Sequence, residues 1–184
     1  DVNFVLIPEA PFDLEGEKGF LKALEKRLRK RNHAVILAAE GAGQELIRQE
    51  RDEPLGTDAS GNIKLLDIGM FLKTKIEEYF RKIEMEINLK YIDPSYTIRS
   101  VPANASDSIY CGALGQYAVH AGMAGETGML VGLIKDEYVH LPLKTVTSGK
   151  RVEPGGNIWM RVLESTGQPF SMKNDDYSGI LKAL

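Results

Sequence analysis

At 184 residues, with 43% apolar and 27% charged side chains, the chain has the composition of a globular protein with enough apolar material for a sizeable core. Its formal net charge of −3 argues against a dedicated nucleic-acid binder, and no apolar run reaches the roughly 18 residues of a membrane span. The lone Cys111 excludes an internal disulfide; with His33, His120 and His140 far apart there is no zinc-ligand spacing, so no metal site is expected.

The run Val2 to Ile7 is apolar and stops at Pro8, which has no N–H to continue a ladder, so it reads as a buried strand with Glu9 just past its carboxyl end. Between Glu17 and Asn32, Phe20, Leu21, Leu24 and Leu28 share one helical face and basic residues cover the other. Arg29, Lys30 and Arg31 suit the negative end of that helix. A second strand, "HAVILAAEGAG", follows. Strand, amphipathic helix and strand in this order predict a βαβ unit on a parallel sheet, with ligands beyond the carboxyl ends of the strands. Glu9 and the "EGAG" loop both occupy such ends.

After a polar stretch from Gln49 to Asn62, a helix is predicted from Asp67, a suitable N-cap, to Met85, with Ile68, Phe71, Leu72, Ile76, Tyr79 and Ile83 as its buried stripe. The strand-like "INLK" leads into "YIDPSYTIRS", in which Pro94 sets a turn and Ile98 is expected to face inward. Another helix opens at Asn104 as N-cap, and its body, "SIYCGALGQYAVHAGMAG", is nearly uncharged and small-residue rich, which predicts burial, with His120 packed inside. "GMLVGLI" and "YVHLPL", joined across Lys135 to Glu137, predict two strands and a tight turn. A short helix carrying Trp159, Val162 and Leu163 is expected from Asn157 to Glu164, and the tail after Gly167 is polar with no clear structural signal.

Several motifs have a plain reading beside a functional one. "EGAGQEL" begins like a dinucleotide fingerprint, but Leu46 holds the third glycine position, so a tight turn is the preferred reading. The basic run in "KGFLKALEKRLRKR" is interrupted by Glu25 and reads as a solvated helix face. "NAS" at Asn104 matches a glycosylation sequon that an intracellular protein would not use. Glu9 could cap a turn or hold a ligand. Tyr96 and Arg99 could be structural, yet with Lys90 they set two cations and a phenol within ten residues, a constellation suited to a phosphate.

"IPEAPFDLEG", "AEGAGQ", "KYIDPSYTIR" and "NASDSIYC…AVHAGMAG", in this order, closely resemble the C-terminal half of 6-phosphofructokinases of the plant and trypanosomatid type, along nearly the whole chain. The resemblance implies the C-terminal portion of a three-layer parallel-sheet, Rossmann-like phosphofructokinase fold. It implies a glycolytic kinase moving a phosphoryl group from ATP, or pyrophosphate, to the 1-hydroxyl of fructose 6-phosphate with Mg2+. Glu9 then contacts the sugar, Tyr96 and Arg99 hold its 6-phosphate, and Lys90 falls where bacterial relatives carry a basic phosphate ligand. Residues 1–103 would form an incomplete fructose 6-phosphate lobe, and residues 104–184 the returning helix, strands and extension that pack on a donor lobe. Nothing here matches the family's glycine-rich donor loop, catalytic aspartate or magnesium ligands. The chain, which opens at Asp1 on a strand, is therefore expected to be a fragment, inactive alone and binding no cofactor itself, that works with the N-terminal half in a homo-oligomeric, cytoplasmic enzyme. The competing expectations are a non-catalytic sugar-phosphate sensor and, on "GAG" alone, a dinucleotide-binding domain.

Overall fold

The computed structural model describes residues 1–51, 56–57, 61, 64–146, 149 and 151–175. In chain order its elements are β1 (Phe4–Leu6), α1 (Phe20–Arg31), β2 (Ile36–Ala38), α2 (Gln44–Arg51), α3 (Ile68–Lys82), α4 (Ser95–Arg99), α5 (Ala105–Met123), β3 (Met129–Ile134), β4 (Glu137–Pro142), a short 3-10 helix (Leu143–Thr145) and α6 (Asn157–Thr166). They form two compact units, Asp1–Ile92 with Val152–Leu184, and Asp93–Arg151.

In the first unit β1 and β2 pair in parallel, Phe4 opposite Ile36 and Leu6 opposite Ala38, with α1 as the connecting helix. The chain makes α1 where apolar side chains recur at helical spacing, and ends it at Asn32. That residue takes the left-handed conformation (φ 59°) and donates its N–H to the Leu28 carbonyl, an asparagine version of the glycine C-cap. Phe20, Leu21 and Leu24 are buried as the periodicity requires. On the same helix Glu25 is also buried, and it remains ionised because it is fully engaged: Tyr79 Oη donates at 2.7 Å, Arg29 Nε at 2.8 Å and Lys22 Nζ at 3.0 Å. The Tyr79 hydroxyl first, then Arg29 and Lys22, hold this carboxyl down to about 2, while burial and then the Glu25 bond push the Tyr79 phenol up to about 12.

Asp67 caps α3 by accepting from the Met70 N–H at 2.9 Å, and Ile68, Phe71, Leu72, Ile76 and Phe80 are buried. The helix stops at Lys82, earlier than the apolar pattern suggests, and Tyr79 and Ile83 are only half-buried. Phe80, outside the predicted stripe, is wholly buried and meets Tyr79 edge-on at 5.4 Å. Beyond α3, "INLK" is extended but joins no ladder among the described residues. Met85, Ile87 and Leu89 lean on the core while Glu86, Asn88 and Lys90 face water, so the period of two is present without a partner strand.

The second unit holds the largest departure from expectation. Only Ala121 of α5 is buried, whereas Ile109, Val119 and Met123 are 75%, 65% and 84% exposed, and His120 and Cys111 face outward too. Hydropathy reports a helix's preference for burial, not the presence of something to bury it. Within this unit α5 meets the hairpin of β3 and β4, where Tyr138 stacks on Tyr117 at 5.0 Å and Tyr110 at 6.3 Å. The N-cap itself follows the sequence: Asn104 Oδ1 accepts from the Asp107 N–H at 2.8 Å. The hairpin turns on Lys135 and Asp136, both at positive φ (50° and 65°), the backbone of a type I′ turn.

The described part of the polar tail after Gly167, which ends at Asp175, is the second correction. Gln168 and Met172 are buried, and hydrogen bonds from Gln168 to Asn174 reach both β1 and the loop that follows it. Its amides and charges replace the apolar pattern that would have marked it as structured.

Candidate functional site

The carboxyl ends of β1 and β2 lie together because the strands are parallel and in register. After β1 the chain turns at Pro8 and Glu9, with the Ala10 N–H donating to the Ile7 carbonyl at 3.3 Å. After β2 the "EGAG" loop packs against that turn. A Cβ on Gly41 would come within 2.9 Å of the Pro8 ring, so glycine is demanded there by the approach of the two loops. Gly43 sits at φ 61°, where a Cβ would also press on Ile68 at 2.9 Å. Gln44, buried at the start of α2, donates to the Glu40 and Leu66 carbonyls and accepts from the Leu66 N–H, all at 2.9 Å. Packing thus accounts for both glycines.

Glu9 is half-buried, and its carboxylate makes no hydrogen bond or ion pair among the described residues. It is therefore a partly desolvated acceptor without a donor among the described residues. Lys90, exposed at the end of the extended segment, is likewise unpaired among the described residues, and nothing there joins it to Glu9. Next to it Tyr91 is anchored on α3, its hydroxyl donating to Asp67 Oδ1 at 3.3 Å over Gly69, where any Cβ would collide with the tyrosine ring.

In the second unit, "PSYTIRS" forms α4 rather than a simple turn: the Pro94 carbonyl accepts from the Ile98 N–H at 2.8 Å. Helical geometry places positions 96 and 99 one turn apart and turns Ile98 outward, 66% exposed, contrary to the inward placement expected of it. Arg99 is exposed and its guanidinium has no partner among the described residues, while the Tyr96 side chain lies outside what is described. Glu9 and Lys90 thus belong to the first unit, Tyr96 and Arg99 to the second.

A cleft of about 490 Å3 in the first unit contains none of these residues; it is lined by Leu14, Leu21, Tyr79 and Lys82 and by Lys75, which is held between Glu50 and Glu78. No cluster of His, Cys, Asp and Glu among the described residues could hold a metal ion, and no helix there is long and apolar enough to cross a membrane.

No protein-family model matches the chain. It is 54% identical over 181 residues, 95% of its length, to the ATP-dependent 6-phosphofructokinase of Borreliella burgdorferi. It is 45% identical over 185 residues, its full length, to ATP-dependent 6-phosphofructokinase 7 of Arabidopsis thaliana, and 38% identical over 168 residues, 89% of its length, to the ATP-dependent 6-phosphofructokinase of Trypanosoma brucei brucei. With its mixed α/β build and parallel strands, the chain belongs among the 6-phosphofructokinases. The match is to the C-terminal portion of the ATP-dependent members, and the chain spans 40%, 38% and 33% of the length of these relatives.

Proposed function

We propose that this chain supplies the acceptor-sugar lobe of an ATP-dependent 6-phosphofructokinase, which moves a phosphoryl group from ATP, with Mg2+, to the 1-hydroxyl of fructose 6-phosphate. The observation that carries the proposal is the similarity to kinases of that name over 89 to 100% of the chain. In this reading Arg99 and Tyr96 on α4, with Lys90, bind the 6-phosphate, and Glu9 binds sugar hydroxyls. Electrostatics favours that division. A carboxylate at about 4 Å from a phosphate charge is repelled by about 4 kcal/mol at an effective dielectric of about 20, so Glu9 belongs at the far end of the sugar. A half-buried carboxylate with no partner among the described residues suits hydroxyl donors, and an exposed guanidinium likewise without one there suits a phosphate.

In this reading the Mg2+ ligands, the ATP site and the general base of the complete enzyme lie in the portion of the relatives that this chain does not match, and the 184 residues by themselves are inactive. In that complete protein β1 and β2 join a three-layer, Rossmann-like sheet. Residues 1–103 then form the sugar lobe, and the helix and strands that open the stretch 104–184 return to the donor lobe in the N-terminal half, while Gln168 to Asn174 stay on the sugar lobe through Val5 and Asp13. The exposed apolar side chains of α5 support the return, since a patch of that kind on a helix needs a cover. The enzyme is read as a cytoplasmic homo-oligomer. The other class of reading, a regulatory subunit that senses fructose 6-phosphate without turning it over, keeps the same residues. In the full-length protein, Arg99→Ala should raise KM for fructose 6-phosphate about ten- to a hundredfold and leave KM for ATP nearly unchanged. An unaltered sugar KM removes Arg99 from the site, and a full-length protein that binds the sugar without turnover favours the sensor.

A further inference from the structure

The Glu9 turn has little of its own to hold it, a single 3.3 Å backbone bond and no side-chain partner among the described residues, yet both of its flanks are fixed by one distant segment. Upstream, the Val5 N–H donates to Gln168 Oε1 at 2.7 Å and the Val5 carbonyl accepts from Gln168 Nε2 at 3.2 Å. β1 pairs with β2 through its neighbours: the Phe4 N–H goes to Val35, and the Leu6 carbonyl accepts from Ala39. The Val5 groups point to the opposite edge, where the buried Gln168 amide takes the place of a third strand.

Downstream, Asp13 is gripped from the same segment. Its N–H donates to the Met172 carbonyl at 2.9 Å, and its carboxylate accepts from Lys173 Nζ at 2.9 Å, the Asn174 N–H at 2.7 Å and Asn174 Nδ2 at 3.0 Å. Asn174 also donates to the Glu15 carbonyl at 2.7 Å and fills the space in which a Cβ on Gly16 would sit. Burial pushes the Asp13 carboxyl up, but the Asn174 N–H and Lys173 pull it further down, so the charged form that makes these bonds is the favoured one. Val5 and Asp13 are placed symmetrically, each four residues from Glu9.

We propose that residues 168–174 are the positioning segment of the sugar site, with Gln168 and Asn174 as positioning residues that set the Glu9 carboxylate by holding the chain on both sides of it. This rests on the reading of Glu9 as a sugar ligand. A strand held along one edge only can tilt, and the turn at its end tilts with it; the Gln168 amide removes that freedom on one side and the Asp13 bonds on the other. Glu9 then meets the sugar without first being ordered, and the benefit falls on sugar binding alone.

The test compares Gln168→Met, of similar size without the amide, and the milder Asn174→Ala in the full-length protein, each alone and combined with Glu9→Gln. Unfolding midpoints identify any variant that is not folded, and Asn174→Ala, at an exposed position, serves where Gln168→Met is not. Exchange of the Ala10 amide reads the turn directly and should speed up by about tenfold. KM for fructose 6-phosphate should rise about three- to tenfold with KM for ATP unchanged, and neither substitution should add to the effect of Glu9→Gln. Unchanged Ala10 exchange overturns the positioning role. So does a rise in sugar KM of the same size with and without Glu9, the signature of a merely structural part. If instead Glu9→Gln leaves the sugar KM unmoved while Ala10 exchange still speeds up, the reading of Glu9 fails and the geometric role of the segment stands.

Discussion

Phe20 is wholly buried where β1, the loop carrying Glu9 and α1 converge, meeting Phe4 edge-on at 5.5 Å and Phe12 at 5.9 Å. Phe20→Ala removes the ring and both contacts at a place where three backbone segments cannot all collapse inward. The expected cost is about 3–5 kcal/mol, of which the two edge-on pairs account for about 0.5–1.5 kcal/mol each. With a urea m-value of about 2 kcal/mol/M, the unfolding midpoint should fall by about 2 M at unchanged m. Circular dichroism in urea measures it, and Phe20→Leu, which keeps most of the volume but loses the aromatic edges, should lie between mutant and wild type. A fall of under about 0.5 M for Phe20→Ala, with m unaltered, would mean that the ring is not the keystone its burial indicates. Because Phe12 follows Glu9 so closely in the chain, the sugar affinity proposed for the Glu9 turn should decline in the same order as stability.

Asp67→Ala removes the α3 cap and the Tyr91 bond together and should cost about 1–2 kcal/mol, read by thermal unfolding; a neutral result would mean that the cap is replaced by water. Gly43→Ala places a Cβ at φ 61° against Ile68, and should destabilise by about 1–3 kcal/mol without any effect on nucleotide affinity, the reverse of what a phosphate-cradling glycine would give. The Glu25 carboxyl lies near 2 against an ordinary 4.5, so its contribution to stability is complete above about 4.5 and is lost as the pH falls toward 2. In Glu25→Gln that part of the acid dependence should be absent from unfolding measured between pH 5 and about 2, and an unchanged profile would sink the assignment.

The elements that the sequence announced are those whose signals are local. The apolar spacing of Phe20, Leu21 and Leu24, the caps Asp67 and Asn104, and the turn at Lys135 and Asp136 each depend on a few neighbouring residues, and each is found where it was expected. Two of the misses share a cause, a partner that the local sequence does not name. Gln168 reads as an ordinary polar residue until its partner Val5, 163 positions away, is known. The apolar body of α5 promises burial without naming what provides it. At the candidate site, residue chemistry marked Lys90, Tyr96 and Arg99 as suited to a phosphate and left Glu9 between a turn cap and a ligand, and the resemblance carried by the motifs around them supplied the sugar; Ile98 went astray because a turn and a turn of helix share a sequence but not a face.

The bond between Val5 and Gln168 also bears on how the protein is made. A ribosome adding about 5–20 residues per second takes about 8–30 s to progress from the first of these residues to the second. Throughout that interval the outer edge of β1 is an open template, while the hairpin of β3 and β4, whose contacts are close in sequence, can already close. Of the four described strands, the earliest to be synthesised is thus among the last to be finished. A chaperone or a neighbouring segment that shields this edge during synthesis should raise the yield of native protein more than any aid to the hairpin.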